Sequence, residues 1–138
     1  MKKIEEDVIY SVGNGRILLM DDEEYIIEVV TEMLNSLEYK VVSSKDGTEA
    51  FVLYKYAKES GNPFDVVIMD LTVPGGMGGK ELIQKLLEFD PEVKAIVSSG
   101  YSNDPIISNF KSHGFKSFIT KPYRIKEISQ ILNKVLIN

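Results

Sequence analysis

Five short apolar runs alternate along this chain with segments whose apolar residues recur every three to four positions, and that alternation leaves few folds open. The runs are 17–20, 39–43, 66–69, 93–97 and 115–120. Val66, Val67, Ile68 and Met69 lack in-and-out alternation, which reads as a strand covered on both faces. Between the runs, Ile26, Ile27, Val30, Met33, Leu34 and Leu37 form one stripe of a helix of about four turns. Asp46-Gly47-Thr48-Glu49 has the form of a capping box opening a second helix, with Ala50, Leu53, Tyr54 and Ala57 on its buried face. Leu82, Ile83, Leu86 and Leu87 mark a third, ending before Asp90-Pro91. A short fourth lies between the Asp104-Pro105 start and the Gly114 stop. Ile128, Ile131, Leu132 and Val135 define a fifth. A parallel strand pair needs a long crossover, and a helix supplies it. The chain therefore reads as one α/β domain with three layers, a (βα)5 unit with right-handed crossovers.

Length and composition narrow the function classes. At 138 residues the chain fits one domain with a real core, and it has no cysteine for a disulfide framework or a thiolate metal site. Sixteen basic against twenty-one acidic residues give a net charge of -5, which argues against binding nucleic acid by phosphate neutralisation. No apolar run approaches the ~20 residues of a bilayer span, and Met-Lys-Lys is followed by Ile-Glu-Glu-Asp instead of a signal-type segment. A cytoplasmic chain with no membrane contact of its own is expected. Residues 1–14, closed by the Gly13-Asn14-Gly15 break, read as a tail or linker before a domain at 15–138.

In open α/β sheets, ligands bind outside the carboxyl ends of the strands, where strand order reverses. The first run exits into Asp21 and Asp22, the third into Asp70, the fourth into Ser99 and Gly100, the fifth into Lys121. The second exits into nothing comparable. Three acids on one rim repel one another, so their pKa values rise or a divalent cation neutralises them. Oxygen donors without His or Cys favour Mg²⁺. A carboxylate beside it can attack a phosphoryl group, with Lys121, Ser99 and the Gly100 N–H on the phosphoryl oxygens. Each residue alone has a plainer reading. Asp70 alone is a strand-end acid, Asp21 and Asp22 alone could cap the first helix with Glu24 completing a capping box, Ser99 alone is a polar strand end, and Lys121-Pro122 alone is a turn. Their joint occurrence at four strand exits favours a site. His113 reads as a solvent-facing helix-end residue.

L-L-M-D-D-E-E at the first strand, V-I-M-D at the third, I-V-S-S-G at the fourth and F-I-T-K-P-Y at the fifth together resemble the receiver domain of two-component response regulators, over residues 15–137. The resemblance implies a flavodoxin-like parallel sheet of order 2-1-3-4-5. It makes Asp70 the acceptor of a phosphoryl group from a histidine kinase or histidine phosphotransfer domain. It implies Mg²⁺ (or Mn²⁺) held directly by Asp22 and Asp70, by Asp21 mostly through water, and by the Thr72 carbonyl. Ser99 becomes the switch hydroxyl, Lys121 its charge partner and Phe118 the aromatic that moves with it, with a cis Lys121-Pro122 bond. The face of helix four, strand five and helix five would carry the output. Such a module catalyses its own phosphotransfer and dephosphorylation, is not a kinase by itself, and is a monomer or weak dimer. Thr72 and Tyr101 flank the site where phosphoryl lifetime would be tuned. P-G-G-M-G-G-K-E and S-S-G-Y-S-N-D-P are most similar to receivers at the C-terminal end of hybrid sensor histidine kinases, some of them membrane-associated. The loop 75–79 is one residue longer than the common form, which leaves its conformation open. The alternative, an aspartyl-phosphate hydrolase of the haloacid-dehalogenase-like type, needs a second acid two places after the nucleophile, where this chain has Thr72.

Overall fold

The apolar runs assemble into one parallel sheet, described by a computed structural model over residues 2–5, 8–11, 15–100 and 103–137. Its strands are β1 (Arg16–Met20), β2 (Lys40–Ser44), β3 (Val66–Asp70), β4 (Ala95–Ser99) and β5 (Ser117–Thr120). They lie in the order β2-β1-β3-β4-β5 with every pairing parallel, as the resemblance implied. The helices are α1 (Glu24–Ser36), α2 (Gly47–Glu59), α3 (Gly79–Phe89), α4 (Pro105–Ser108) and α5 (Ile125–Ile137). Successive side chains of a strand point to opposite faces, so each central strand feeds two cores. Leu18, Met20, Val67 and Met69 pack toward Tyr54, Leu82 and Leu86 of α2 and α3. Ile17, Leu19 and Ile68 pack toward Leu34 of α1 and Leu132 of α5.

Apolar runs report burial more faithfully than pairing. Val93 is buried, yet its N–H donates to the Asp90 carbonyl in a turn, and β4 starts two residues later than the run. Phe115 likewise is buried from the loop before β5, its N–H donating to the Phe110 carbonyl. The Asp46 cap forms as read: its Oδ1 accepts from the Glu49 N–H at 2.9 Å, while Glu49 Oε1 accepts from the Lys45 N–H at 3.0 Å.

The fourth helix is not one helix. Asp104 Oδ1 accepts from the Ile106 N–H, as a cap should, but α4 lasts only Pro105–Ser108 and gives way to a 3-10 turn, Phe110–His113. Ser108 Oγ and Asn109 Nδ2 both donate back to the Pro105 carbonyl, competing with the helical ladder. Gly114 then stops the chain at φ +98, in the left-handed region that suits glycine. Within the stretch read as a tail, Lys2–Glu5 and Val8–Ser11 pair as an antiparallel ribbon. Among the described residues, no helix is long and apolar enough to cross a membrane.

Candidate functional site

Four strand exits meet on one rim because β1, β3, β4 and β5 run parallel and end together. Asp21 follows β1 directly, its N–H bonded to the Ser44 carbonyl, and it is fully buried at 0% exposure. Asp70 is the last residue of β3 and only 8% exposed; Ser99 ends β4 and is also buried. Asp22 is exposed. Lys121 leaves β5 with its N–H donating to the Ser99 carbonyl at 2.9 Å. From there its ammonium reaches Asp21 Oδ2 at 2.8 Å and Asp70 Oδ2 at 3.4 Å. Asp21, Asp22 and Asp70 each offer a carboxylate oxygen, all within 4.8 Å of one another.

The plainer reading of Asp21 and Asp22 does not form. Asp21 Oδ1 accepts from the Glu23 N–H at 2.9 Å, turning the chain outward, and α1 starts at Glu24 without any side-chain cap. Nor is Asp70 the open rim acid that a strand end suggests. Burial pushes its carboxyl up to about 6; Lys121 opposes that rise, and the charges of Asp21 and Asp22 add to it. The Lys121 ammonium shows the reverse balance. Burial would lower it, but Asp21 and Asp70 outweigh burial and raise it. One ammonium therefore faces three carboxylates.

The donor set is hard oxygen throughout, partly buried and short of positive charge, which fits Mg²⁺ or Mn²⁺ and not a softer metal. Thr72, Pro74, Gly100 and Asp104 surround the cleft above Asp70. A Cβ at Gly100 would meet nothing within 4 Å, so the space there is open whatever the residue. Phe118 stands apart from the cleft, 36% exposed, its ring centroid 5.3 Å from that of Phe110. The Lys121-Pro122 bond is cis. Tyr101 lies outside the described residues.

The glycine loop has a defined path. A Cβ on Gly78 would sit 2.5 Å from the Leu71 carbonyl oxygen and 3.0 Å from the Val73 nitrogen, so the loop folds back against the exit of β3 where only glycine fits. Its Met77 carbonyl accepts from the Gly47 N–H at 2.6 Å, tying the loop to the start of α2.

A hydroxyl pair beneath the rim escaped the sequence reading. Tyr123 Oη donates to Ser98 Oγ, both buried, and Ser98 is the register partner of Asp70. Burial raises the Tyr123 phenol; the Ser98 bond opposes this and the charges of Asp21 and Asp70 add to it. The only signal was an aromatic after Lys-Pro.

Known proteins resemble this chain in sequence and in fold. The family model described as the response regulator receiver domain matches residues 17–133. Chemotaxis protein CheY of Thermotoga maritima is 31% identical over 121 residues, which cover 87% of this chain and 96% of that protein. Sensor kinase CckA of Brucella abortus is 29% identical over 135 residues, 98% of this chain, and the chain spans 14% of that kinase's length. A chain of the crystal structure of the CheX-CheY-BeF3-Mg²⁺ complex from Borrelia burgdorferi matches with a TM-score of 0.80 at 26% identity, over 90% of each chain.

Proposed function

We propose, for a chain that belongs to the response regulator receiver domain family, that Asp70 is the residue that accepts the phosphoryl group. The observation that carries this is the Lys121 ammonium bridging Asp21 and Asp70, with a third carboxylate, Asp22, beside them. An Asp70 carboxylate oxygen attacks the phosphorus of a phosphohistidine on a histidine kinase or histidine phosphotransfer domain. A P–O bond forms, the P–N bond breaks, and the leaving imidazole keeps the electron pair. Lys121, the Ser99 hydroxyl and the Gly100 N–H take the phosphoryl oxygens, where charge spreads in a loose transition state. Asp21, Asp22, Asp70 and the Thr72 carbonyl would hold Mg²⁺ or Mn²⁺, which when bound supplies the positive charge that three acids and a phosphoryl group lack. The similar Borrelia burgdorferi structure is a complex with Mg²⁺, which supports that choice. Water attack on the acyl phosphate returns Asp70 to its free form.

The output side of this reading uses Ser99 and Phe118. Ser99 turns toward the phosphoryl group, Phe118 moves into the space it leaves, and the face of α4, β5 and α5 changes. The domain is taken as 15–138, with residues 1–14 as its approach, in a monomer or weak dimer that works in the cytoplasm, free or as part of a hybrid sensor kinase. Thr72 stands where a phosphoester hydrolase would place its second acid, so net hydrolysis of external substrates is not assigned.

Incubation with a small acyl phosphate and Mg²⁺ tests the acceptor. The wild type should gain a hydroxylamine-sensitive phosphoryl group, detected by intact mass, and Asp70→Asn should gain none. Equal labelling of the variant would place the acceptor elsewhere.

A further inference from the structure

The groups assigned to the phosphoryl oxygens sit on two strands. Ser99 and Gly100 close β4, Lys121 leaves β5, and all three line the cleft over Asp70. The β4–β5 register ends at Ser99 and Thr120, and the bond from the Lys121 N–H to the Ser99 carbonyl at 2.9 Å is the last step of that ladder. Past it the chain turns, and Tyr123 reaches back to give its proton to Ser98 Oγ. Both side chains are buried, Ser98 completely. Burial keeps the proton on the phenol, so Tyr123 is a donor at neutral pH. Neighbouring residues of a strand point to opposite faces. Ser99 lines the cleft, while Ser98 meets the face where Tyr123 joins Ile119, Ile128 and Leu132 in the core. A phenylalanine ring would fill the same space, so packing does not account for the hydroxyl. Nor does stability, because each group leaves water to make the bond and the net gain is small. What such a bond fixes is distance.

We propose that the Tyr123–Ser98 pair is a positioning device for phosphotransfer. It is a buried tie that holds the exits of β4 and β5 at one separation, so that the Ser99 hydroxyl, the Gly100 N–H and the Lys121 ammonium meet the same phosphoryl group. The inference deepens the phosphoacceptor reading and rests on it. Tyr123 is two residues from Lys121 and Ser98 is next to Ser99, so one bond steers both sides. Neither hydroxyl of the pair touches the phosphoryl group. The carboxylates stand on other strands, Asp21 and Asp22 after β1 and Asp70 at the end of β3. Loss of the tie therefore slows phosphoryl transfer and leaves the cation site in place. A displacement on the order of 1 Å in a group that meets a transition state costs about a hundredfold in rate, and a slackened turn that still samples the right separation costs less.

The test compares the rate at which the full chain is phosphorylated by a small acyl phosphate at saturating Mg²⁺, read by intact mass. Tyr123→Phe keeps the ring and loses the donor, and should label about tenfold more slowly than wild type. Ser98→Ala removes the acceptor and should slow labelling by a similar factor. The double variant should be no slower than either, because all three lack the same bond. Mg²⁺ affinity, from titration of amide shifts, should stay within about threefold of wild type in each. Tyr54→Phe is the control. It also removes one buried tyrosine hydroxyl, the one that donates to Asp90 Oδ2 at 2.6 Å at the far end of the sheet, and it leaves the tie intact. It should label within about twofold of wild type. A wild-type rate in Tyr123→Phe, additive losses in the double variant, equal slowing in Tyr54→Phe, or a Mg²⁺ affinity that falls with the rate would each overturn the tie while leaving Asp70 as the acceptor. A wild type that takes no label at Asp70 overturns the acceptor reading itself, and the tie with it.

Discussion

Asp21 is the residue that pays most for this site, since it has no exposure and its carboxylate is held by one ammonium at 2.8 Å and one backbone N–H, that of Glu23, at 2.9 Å. Removing that ammonium strands two carboxylates, and breaking a buried pair costs more than the pair contributes. Lys121→Ala should therefore lose roughly 3 kcal/mol by urea unfolding without divalent cations, the low end for a buried pair because the Lys121 side chain keeps 16% exposure. Mg²⁺ should restore part of the loss, whereas a variant as stable as wild type would mean that the ammonium does not hold the acids together. The acids, the hydroxyl and the lysine were legible because each falls within two residues of the end of an apolar run, and a run's end survives errors of a residue or two in the strand boundary. The Tyr123–Ser98 pair was not legible. It depends on β4–β5 register and on the turn after β5, and neither leaves a local pattern in the chain.

Elements behave by the same division between local and tertiary causes. The Asp46 cap is a local contest between a carboxylate and a helix start, so it could be read; the break after Ser108 coincides with two side-chain back-bonds to a Pro105 carbonyl that still accepts the Asn109 N–H, and an Asp-Pro start with a glycine stop does not foretell it. The glycine loop is tertiary. Gly78 meets backbone atoms on its would-be Cβ side, whereas a Cβ at Gly76 would sit 3.4 Å from Val73 Cγ1, a contact that needs only a small adjustment. Gly78→Ala should cost about 1–3 kcal/mol, the usual penalty for an overpacked site, and Gly76→Ala clearly less. Thermal unfolding of the two side by side checks this, and equal melting temperatures would contradict the loop path. At the other end of the sheet, Tyr54 Oη of α2 donates to Asp90 Oδ2 at 2.6 Å, where Asp90 closes α3. Burial would raise the Asp90 carboxyl, but the bonds from Tyr54, the Glu92 N–H and Lys58 hold it below its ordinary value. A depressed carboxyl stabilises the fold above its unfolded pKa and loses that contribution as pH falls through the folded value. Tyr54→Phe should therefore cost roughly 1–2 kcal/mol at neutral pH and make stability fall less steeply below about pH 4. Urea unfolding across that range reads both effects; an unchanged acid limb would remove Tyr54 from the account.

For the molecule as a whole, the sheet order does the assembling. Because β1 and β3 are neighbours while β2 is sent to the edge, the two acid-bearing exits meet and the exit without chemistry is kept away. That placement followed from the run pattern only once the order was supplied by resemblance, since alternation specifies parallel strands and crossovers but not which strand lies in the middle. The result is a cluster of acids whose occupation by a cation would be linked to stability. Three carboxylates within 4.8 Å are held together by packing against their mutual repulsion, and whatever binds them in the folded state alone must stabilise it. Mg²⁺ at a hundredfold excess over its Kd should contribute about 2.7 kcal/mol, a rise of roughly 10 °C in Tm for a chain of this size. EDTA should reverse it. Asp22 makes the test clean. It is exposed and takes no part in the Lys121 bridge to Asp21 and Asp70, so Asp22→Ala should melt within a few degrees of wild type in EDTA yet gain little from Mg²⁺. If the wild type gains nothing from Mg²⁺, or the variant gains as much, the acids do not form a cation site and a proton on Asp70, whose carboxyl burial raises, relieves their repulsion instead. The variant's response at millimolar Mg²⁺ distinguishes these outcomes, because protonation would make the melting temperature depend on pH alone.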